Sequence, residues 1–516
     1  APHGPVVVIV RRFLAVRQPE PSPDDIAALP YAHIESAAAL RPFTVLQDSK
    51  AVLPGPRLSD RGLQGGNGLL LDEGVPNYDI VSGYSLFSSL PARYAQTVEA
   101  TPATDAFRYG DQAGGGTFEI NSANPQRVQN SLILGSDSSL RVTLPQRNAQ
   151  AIAAASNDSS EARERAEIVA DKELSDAQLH FVSATSLAHA LGAGGDTFSN
   201  GYTFAGLSMQ RTRDYRLSGT FGLDRGFYRG DFSGSGLTST WADGAVEANA
   251  QSLGPVTRFA GFALRESSGY DESYNSGVPD VAAHLSQRHA YVGIHAGHRF
   301  LDETATLDGF QSAYSGGPAQ FPSSQAGLFP GLRLNIKPNE RWNLVFSAVD
   351  TFRLPTFLEK LSAPGLPGFY DRSRILQSSV SYTDLSRVRA ELTNFSETTR
   401  GVGESTSWGI GASLMWQLTP SLSLRAWMLR FNSSRQYAGT STRAMSFDVS
   451  SFWLTYEMKH EVRADFLFRR NLMDFEPDAH FDAAVSGPLH QGLRWRLSTE
   501  RRHMLRYVDF GFTSIR

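Results

Sequence analysis

Apolar and polar residues alternate along much of the chain after about residue 200. Between Trp408 and Leu418 the even positions are apolar, while the odd positions are mostly small or polar. The same alternation recurs within residues 451–459 and 462–468. A period of two indicates β-strands whose two faces meet different surroundings. Further alternating runs occupy residues 290–296, 342–348, 422–428, 493–499 and 508–512.

Two features favour a membrane barrel over a soluble β-protein. Strand-like segments follow one another with hardly a helical pattern between them. Aromatic residues (Trp342, Trp416, Tyr456 and Tyr507) lie near the ends of these segments, as in the interfacial girdles of outer-membrane barrels. A soluble β-propeller is the alternative, and it should show a repeat of about 40–50 residues, which is not found. The pattern therefore predicts a transmembrane antiparallel β-barrel.

Two segments depart from the alternation. Residues 147–178 are rich in alanine and glutamate, with Ser159 or Ser160 as the N-cap before Glu161, and they predict a helical insertion with a polar exterior. The first 124 residues mix short apolar runs with Gly, Pro, Asp and Asn turns. They predict a small mixed α/β domain whose helical part is residues 24–40.

Composition narrows the class of protein. The 516 residues contain no cysteine, which removes disulfide frameworks and thiolate zinc sites and fits export through an oxidising periplasm. A net charge of −4 predicts no nucleic-acid partner. No run approaches 18 apolar residues, so no transmembrane helix is expected. The start "APHGP" fits a mature protein whose signal peptide has been removed, and equally a trimmed chain.

The sequence lacks the common motifs for catalysis and for cofactor binding. It contains no phosphate loop, no G-x-G-x-x-G, no H-E-x-x-H and no G-x-S-x-G. His284, His289, His295 and His298 lie close in sequence, but His295 and His298 have opposite parity on a strand and would face opposite sides. We therefore expect no enzyme activity, no cofactor and no metal site.

Several short segments of the chain form a recognisable set when they are taken together and in order. The first group is Arg61-Gly62, "LLLDEGVPN" (Leu69 to Asn77), "SLPARYAQTVEA" (Ser89 to Ala100), Tyr109-Gly110 and "GGGTFEIN" (Gly114 to Asn121). The second group is "DTFRLPTFLEKL" (Asp350 to Leu361) and "GESTSWGIG" (Gly403 to Gly411). In order and spacing, the first group resembles the plug domain of TonB-dependent outer-membrane receptors, and the second group resembles their barrel.

The resemblance implies a domain organisation. Residues 1–20 would form an N-terminal tail, residues 21–124 a mixed α/β plug in the lumen, and residues 125–516 a barrel of 22 strands. Two departures from the family stand out. Ala100-Thr101-Pro102 replaces the usual Arg-Gly-Pro, and an extra Glu73 separates Asp72 from Gly74. The implied structural motif of the plug comprises Gly62, Gly74, Tyr109, Gly110, Gly114, Gly115 and Gly116.

The resemblance also implies a function in the bacterial outer membrane. Surrounded by lipid, the receptor would take up a ferric siderophore, cobalamin, a saccharide or a peptide when periplasmic TonB moves the plug. Arg61 and Glu404 would lock the plug to the barrel. The implied TonB contact is Val6, Val7, Val8, Ile9 and Val10, and the substrate-facing plug apex is Asn67, Asn77, Tyr78, Asp79 and Tyr84. The alternative is a receptor-like protein that has lost transport and serves as an assembly platform for other envelope proteins.

Overall fold

The computed structural model contains a small inner part, the plug, enclosed by a large outer barrel. In the part of the chain that it describes, no helix is long and apolar enough to cross a membrane. The described residues are 40–47, 57–63, 68–77, 97–111, 113–122, 131–133, 138–146, 148–157, 161–175, 177–191, 197–211, 215–229, 234–251, 256–274, 281–316, 324–354, 370–384, 387–401, 403–437, 443–458, 461–473, 478–490 and 493–504.

The plug contains two small sheets and two 3₁₀ helices. One sheet pairs β1 with β2, and the other has the strand order β4-β3-β6-β5, with β3 and β6 parallel. All four residues of β3 are buried, as expected for a central strand. The elements are β1 (Thr44–Gln47), β2 (Arg57–Asp60), β3 (Leu69–Asp72), β4 (Val75–Asn77), β5 (Thr97–Thr101), β6 (Thr117–Asn121) and the 3₁₀ helices Ala103–Tyr109 and Ala113–Gly115.

The remaining strands form a closed barrel in chain order, which confirms the predicted fold class. The described residues supply 21 barrel strands, against the 22 that the resemblance implies, and residues 505–516 lie outside them. The strands are β7 (Ser131–Ile133), β8 (Ser138–Gln146), β9 (Ala149–Asn157), β10 (Glu161–Glu173), β11 (Ala177–Leu191), β12 (Thr197–Arg211), β13 (Tyr215–Arg229), β14 (Gly234–Gln251), β15 (Val256–Tyr274), β16 (Val281–Gly297), β17 (Leu301–Gly316), β18 (Ser324–Ile336), β19 (Trp342–Arg353), β20 (Asp371–Asp384), β21 (Val388–Arg400), β22 (Gly403–Thr419), β23 (Leu422–Tyr437), β24 (Arg443–Glu457), β25 (Arg463–Met473), β26 (Asp478–His490) and β27 (Leu493–Met504).

The two faces of the barrel wall differ in polarity. On β18, Leu328 and Leu332 point outward and are 65% and 48% exposed, whereas Arg333 and Asn335 point inward and are buried. Apolar side chains cover the outside and polar ones the inside, the reverse of a soluble barrel. This polarity is that of a wall in contact with lipid.

Three exposed aromatic residues lie near one end of the barrel, which we call the short-turn end. Here the connections between strands are two to five residues long, whereas the longest connection, residues 354–370, lies at the opposite, loop end. Trp342, Trp416 and Tyr456 lie close to the short turns and are 42–44% exposed. Trp342 also packs on Tyr382 of β20, with ring centroids 5.0 Å apart. These residues form the girdle that the sequence predicted, and Tyr507 lies outside the described residues.

The predicted helical insertion at residues 147–178 is wrong. The segment forms β9, β10 and the start of β11, all paired in the barrel wall. On β10, Arg163 and Arg165 are buried toward the plug, while Ile168 points outward and is 51% exposed. Alanine and glutamate favour a helix when considered locally, but two paired neighbouring strands override that preference.

Among the described strands from β8 to β27, the pair β18 and β19 leaves a seam in the wall. β18 and β19 pair only from Ile336–Leu344 to Gly331–Val349, so the last residues of both strands toward the loop end are not paired with each other. Pro330 follows Gly331 in this direction, and proline has no N–H to continue a ladder. Aromatic side chains fill the region beside the seam: Phe352 stacks on Phe310 with ring centroids 4.2 Å apart and on Phe329 at 4.8 Å.

Candidate functional site

A buried ion pair joins the plug to the barrel wall at the end of β3. Asp72 accepts hydrogen bonds from Arg165 of β10, at 2.7 Å from Nη1 and 2.9 Å from Nη2. The two side chains are 0% and 1% exposed. Arg165 also donates from Nε to Glu167 at 2.8 Å and from Nη1 to Ser186 Oγ at 2.8 Å. A bidentate ion pair that is buried in this way fixes the position of β3 against β10.

The residue after Asp72 is linked to the same wall through Ser122. Glu73 and Gly74 have φ values of 52° and 80°, as the two central residues of a type I′ hairpin turn require. This turn directs the Glu73 carboxylate to Ser122, whose backbone N–H donates to Glu73 Oε1 and whose hydroxyl donates to Glu167. Arg141 of β8 donates from Nη2 to the Ser122 carbonyl oxygen at 2.5 Å. The extra glutamate of the sequence is therefore part of the plug–barrel contact.

Two carboxyl groups share this enclosed space. Burial raises the pKa of Glu73 well above its usual range, and the charge of Glu167 on β10 raises it further. The hydrogen bonds from Ser122 act in the opposite direction. The pKa of Glu73 in the assembled plug and barrel is therefore higher than that of a carboxyl group in water.

The first 3₁₀ helix of the plug contacts a different side of the lumen. Asp105 accepts a hydrogen bond from Arg333 of β18. Burial raises the pKa of Asp105, and the adjacent Arg333 partly offsets this effect. Phe107 packs on Phe259 and Tyr291, with ring centroids 5.9 and 5.5 Å away. This helix thus reaches β15, β16 and β18.

Arg61 provides a third ionic contact. Its Nη2 lies 4.0 Å from Glu391 Oε1 of β21, and its Nε donates to Thr393 Oγ1 at 3.3 Å. Within the plug, Arg61 donates to both carboxylate oxygens of Asp60 at 2.5 and 2.6 Å. The guanidinium also lies 5.5 Å from the centre of the Phe43 ring. Arg61 therefore lies between a plug carboxylate and a barrel carboxylate.

The predicted pairing of Arg61 with Glu404 is wrong. Glu404 is exposed, whereas Ser405 and Ser407 beside it are buried. Glu404 therefore faces outward on β22, like Trp408 and Ile410, which are both 58% exposed. The apolar residues of this strand have even numbers, so the sequence already indicated that Glu404 shares their outward-facing side.

An apolar contact accompanies the ion pairs. Phe43 is 0% exposed and packs among inward-facing residues of the wall, including Trp427, Leu429 and Phe431. Phe43 has a φ of 64° and Arg61 a φ of 55°, a left-handed conformation that side chains other than glycine adopt at a cost of roughly 1–3 kcal/mol. Both strained residues touch the barrel, so the lumen helps to hold the plug backbone in this conformation.

The four histidines of the sequence cluster are separated in space. His289 points inward and pairs with Asp308 of β17. His284 is exposed and lies 2.9 Å from Glu266, and His295 contacts Thr304 Oγ1 at 3.0 Å. Among the described residues no group of three or more His, Asp or Glu side chains is arranged to hold a metal ion.

Comparison with known proteins relates this architecture to a family. No model of a known protein family and no curated protein matches the sequence. Solved structures do match. The alcaligin outer-membrane receptor of Bordetella pertussis is 13% identical with a TM-score of 0.74, and the alignment covers 98% of this chain and 94% of that one. An iron transporter of Neisseria meningitidis is 8% identical with a TM-score of 0.77, over 97% and 98% of the two chains. A copper transporter is 12% identical with a TM-score of 0.75, over 91% and 89%.

The match spans both the barrel and the plug. This chain has the fold of a TonB-dependent outer-membrane receptor. The receptor fold places the ion pairs described above at the contact between the plug and the barrel. That contact would have to change for anything to pass through the lumen.

Several glycines of the plug motif lie at positions where a side chain would collide with neighbouring atoms. A Cβ on Gly116, whose φ is 86°, would lie 2.8 Å from the Thr101 carbonyl oxygen. A Cβ on Gly62 would overlap the Phe431 ring of the barrel. Gly110, with a φ of 68°, follows the end of the first 3₁₀ helix at Tyr109 and lies against His289. Gly114 and Gly115 are buried in the second 3₁₀ helix, and Gly74 forms the turn after β3.

Most of the predicted ligand and partner contacts lie outside the described residues. These are Val6, Val7, Val8, Ile9 and Val10 of the tail and Asn67, Tyr78, Asp79 and Tyr84 of the plug apex. Asn77 ends β4 opposite Leu70. The assignment of these residues to TonB and to the substrate stays a prediction, as do the domain boundaries.

The sequence analysis did not predict the ion pair of Asp72 and Arg165. The expected ion pair had an arginine on the plug and a glutamate on the barrel, whereas here β3 of the plug carries the aspartate and β10 of the barrel carries the arginine. Arg163, Arg165 and Glu167 occupy alternate positions, and this spacing would have indicated a strand with a charged inner face. The spacing does not help when the segment is predicted to be a helix.

Proposed function

We propose that this chain is an outer-membrane receptor that takes up a scarce solute through energy-coupled movement of its plug by TonB. The observation that carries the proposal is the enclosed plug, held by separate ionic contacts to β10, β18 and β21. Contacts of this kind hold the plug in place. A force on one end of the plug would break them one after another. Disulfide bonds cannot fix this plug, because the chain has no cysteine.

A chelated metal ion is the substrate class that we place first. The matching structures are named as an alcaligin receptor, an iron transporter and a copper transporter. Cobalamin, saccharides and peptides come after it. Titration of the purified protein with ferric siderophores and with cobalamin would rank these classes by affinity.

Deletion of residues Val6–Val10 tests the coupling to TonB. An extended, apolar segment of this kind can pair with a partner as an added β-strand. We expect the deletion to abolish uptake by whole cells while the affinity for the solute stays unchanged. A chain with Val6–Val10 replaced by five serines, which keeps the length, is a second variant. Undiminished uptake by both variants would contradict the proposal.

The structure gives less support to the alternative of an assembly platform. A helical insertion at residues 147–178 would have offered other envelope proteins a docking element. Those residues are barrel strands instead, and Arg165 and Glu167 of β10 face the plug. Retention of a plug with several ionic contacts agrees better with a transporter.

A further inference from the structure

The seam between β18 and β19 interrupts the hydrogen-bonded wall on the loop side. Residues 324–330 of β18 and 350–353 of β19 are not paired with each other, although β18 stays paired with β17 and β19 with β20. The unpaired part of β19 is about 13 Å long at about 3.3 Å per residue. Over this length side chains take the place of the ladder.

The ring of Phe352 lies in the seam. On β19 the even-numbered Phe346 and Ala348 point outward and are exposed, so Phe352 occupies an outward position by alternation. Its side chain is nevertheless buried, and its ring stacks on Phe310 and Phe329, which occupy inward positions of β17 and β18. A ring that starts at an outward position and stacks on inward ones passes through the wall. The seam therefore connects the outer face of the barrel with the lumen.

The seam crosses the border of the apolar band. At the end nearer the short turns, Pro330 pairs with Leu307 of β17, and Leu307 pairs with Val292 of β16. Leu307 and Val292 are 44% and 53% exposed. Four residues further toward the loop end, the outward positions of β17 and β16 hold the exposed Gln311 and Arg288. Lipid chains therefore reach the first part of the seam, and the head-group region begins beside the rest.

Aromatic rings continue from the seam to the plug. The Phe352 and His289 ring centroids are 6.3 Å apart, and those of His289 and Tyr291 are 5.8 Å apart. Tyr291 in turn lies 5.5 Å from Phe107 of the first 3₁₀ helix. His289 is paired with Asp308. An apolar chain that entered the lumen here would thus meet rings and a compensated ion pair.

The charged groups beside the rings also have ionic partners. The guanidinium of Arg372 on β20 lies 5.6 Å from the centre of the Phe329 ring and donates from Nε to Asp350 at 3.1 Å. Arg374 donates from Nε to the same carboxylate at 2.8 Å. An apolar chain in the seam would therefore not have to strip water from an isolated charge.

We propose that the seam is a lateral port that admits the acyl chain of an amphiphilic solute. The chain would lie between the two strands while the polar part of the solute occupies the lumen. A ring can rotate aside to make room, whereas parting two paired strands would leave backbone N–H and C=O groups without partners in lipid. The inference rests on the proposed uptake of a solute, and it names the chemical class of that solute.

A β-strand of a partner protein is the other occupant that two unpaired strand edges could accept. Such a strand would need the gap to be clear of side chains. Phe352 instead fills it with apolar surface, stacked at 4.2 Å from Phe310 and 4.8 Å from Phe329. Apolar surface of this kind favours contact with an acyl chain.

Photolabelling of the purified full-length protein tests this inference. The probe is palmitic acid with a diazirine at the end of its chain, added to the protein in detergent. We expect the activated chain end to label Phe310 and His289, because both face the lumen beside the seam. Val182 of β11 and Val449 of β24 also face the lumen and are buried, but they lie away from the seam and should stay unlabelled. Excess palmitic acid should abolish the labelling, and butyric acid should not.

Removal of the Phe352 ring should widen the port. We expect Phe352→Ala to raise the labelling of Phe310 about fivefold, the ratio that corresponds to the loss of one stacked ring pair. Phe395→Ala is the matched control and should leave the labelling unchanged, because Phe395 is an equally buried, inward-facing residue of β21. The shift in gel mobility on heating monitors folding of the barrel in each variant. The labelling pattern of the native protein tests the port without either variant.

Four outcomes would overturn the inference. They are labelling confined to outward residues such as Leu328 and Leu376, equal labelling of Phe310 and Val182, labelling that Phe352→Ala leaves unchanged, or cross-links from the seam to a second protein chain in whole membranes with Phe310 unlabelled. The last outcome would assign the seam to a protein partner.

The chain lacking Val6–Val10 separates this inference from the proposed function. It should be labelled like the native protein even though it no longer supports uptake. If the native protein is not labelled but its uptake depends on Val6–Val10, the port is wrong and the proposed function stands.

Discussion

At the residue scale, backbone strain concentrates where the plug meets the barrel. Phe43, Arg61 and Glu73 are plug residues with positive φ. Phe43 and Arg61 contact inward-facing side chains of the wall, and Glu73 contacts Ser122, which is bound to the wall. Left-handed backbone costs such residues roughly 1–3 kcal/mol each. The surrounding ion pairs and apolar contacts must offset this cost. A plug outside its barrel would therefore relax at these positions.

Gly116 offers a direct test of close packing in the plug. Gly116→Ala places a Cβ 2.8 Å from the Thr101 carbonyl oxygen at a φ of 86°. We expect the free energy of unfolding of the plug to fall by more than about 1 kcal/mol. Gly115→Ala is the comparison, because Gly115 is not among the residues with positive φ and its substitution should cost less. Urea titration of both proteins measures the difference, and equal losses would count against this reading.

Glu73 should make the plug–barrel contact depend on pH. Because burial and Glu167 raise its pKa in the folded protein, the folded state binds its proton more tightly than the unfolded state does. The contribution of Glu73 to stability is therefore greatest at pH values below the ordinary carboxyl range, and it falls as the pH rises from there to the raised pKa. Glu73→Gln, which stays neutral and keeps an acceptor for Ser122, should remove this part of the pH dependence.

Melting temperatures measured across a pH series would reveal the effect of Glu73. Glu164→Gln is the matched control, since Glu164 is exposed on the outer face of β10. It should leave the slope of stability against pH as in the native protein. If Glu73→Gln and the native protein have the same slope, Glu73 is not the group responsible.

At the scale of elements, alternation was a reliable guide wherever one face of a strand is apolar. β22, β24 and β25 could be read from the sequence because large apolar residues occupy every second position. β10 could not, because its outer face carries alanines and a glutamate beside Ile168, which resemble a helix in composition. Plug contacts such as Asp72 with Arg165 depend on how the barrel closes around the plug. No local pattern encodes that arrangement.

The depth of a residue in the apolar band should determine the effect of a charge there. Ile410 and Glu404 lie on the same outer face of β22, with Ile410 nearer its middle. We expect Ile410→Arg to lower the free energy of unfolding in lipid by about 2–4 kcal/mol, and Glu404→Arg by about 0–1 kcal/mol. Refolding titrations in lipid vesicles would measure both. Similar values for the two variants would mean that β22 does not face lipid as described.

At the scale of the whole molecule, the absence of cysteine makes it possible to tether the plug selectively. Ser122 and Glu167 touch across the plug–barrel contact. We expect the pair Ser122→Cys and Glu167→Cys, joined by a short cross-linker that forms a disulfide bond with each thiol, to block uptake and leave solute binding intact. The plug can then no longer leave β10. Reduction of the cross-link should restore uptake.

A second cysteine pair controls for cross-linking itself. Ser407 and Ser433 lie on neighbouring barrel strands with their hydroxyl oxygens 3.2 Å apart. The same cross-linker at these positions joins wall to wall and should leave uptake unchanged. Loss of uptake in both proteins, or in neither, would argue against plug movement away from β10.

The unpaired stretch between β18 and β19 has a mechanical consequence. The other described strands from β8 to β27 are each paired with the next strand through a long ladder of backbone hydrogen bonds. Beside Pro330 the ring is closed by stacked phenylalanine side chains instead. Side-chain stacking yields to small displacements more gradually than a ladder of hydrogen bonds does. Between β18 and β19 the wall should therefore be more compliant than between the other described neighbours from β8 to β27, and a change in the circumference of the barrel would be absorbed there more easily than at those pairs.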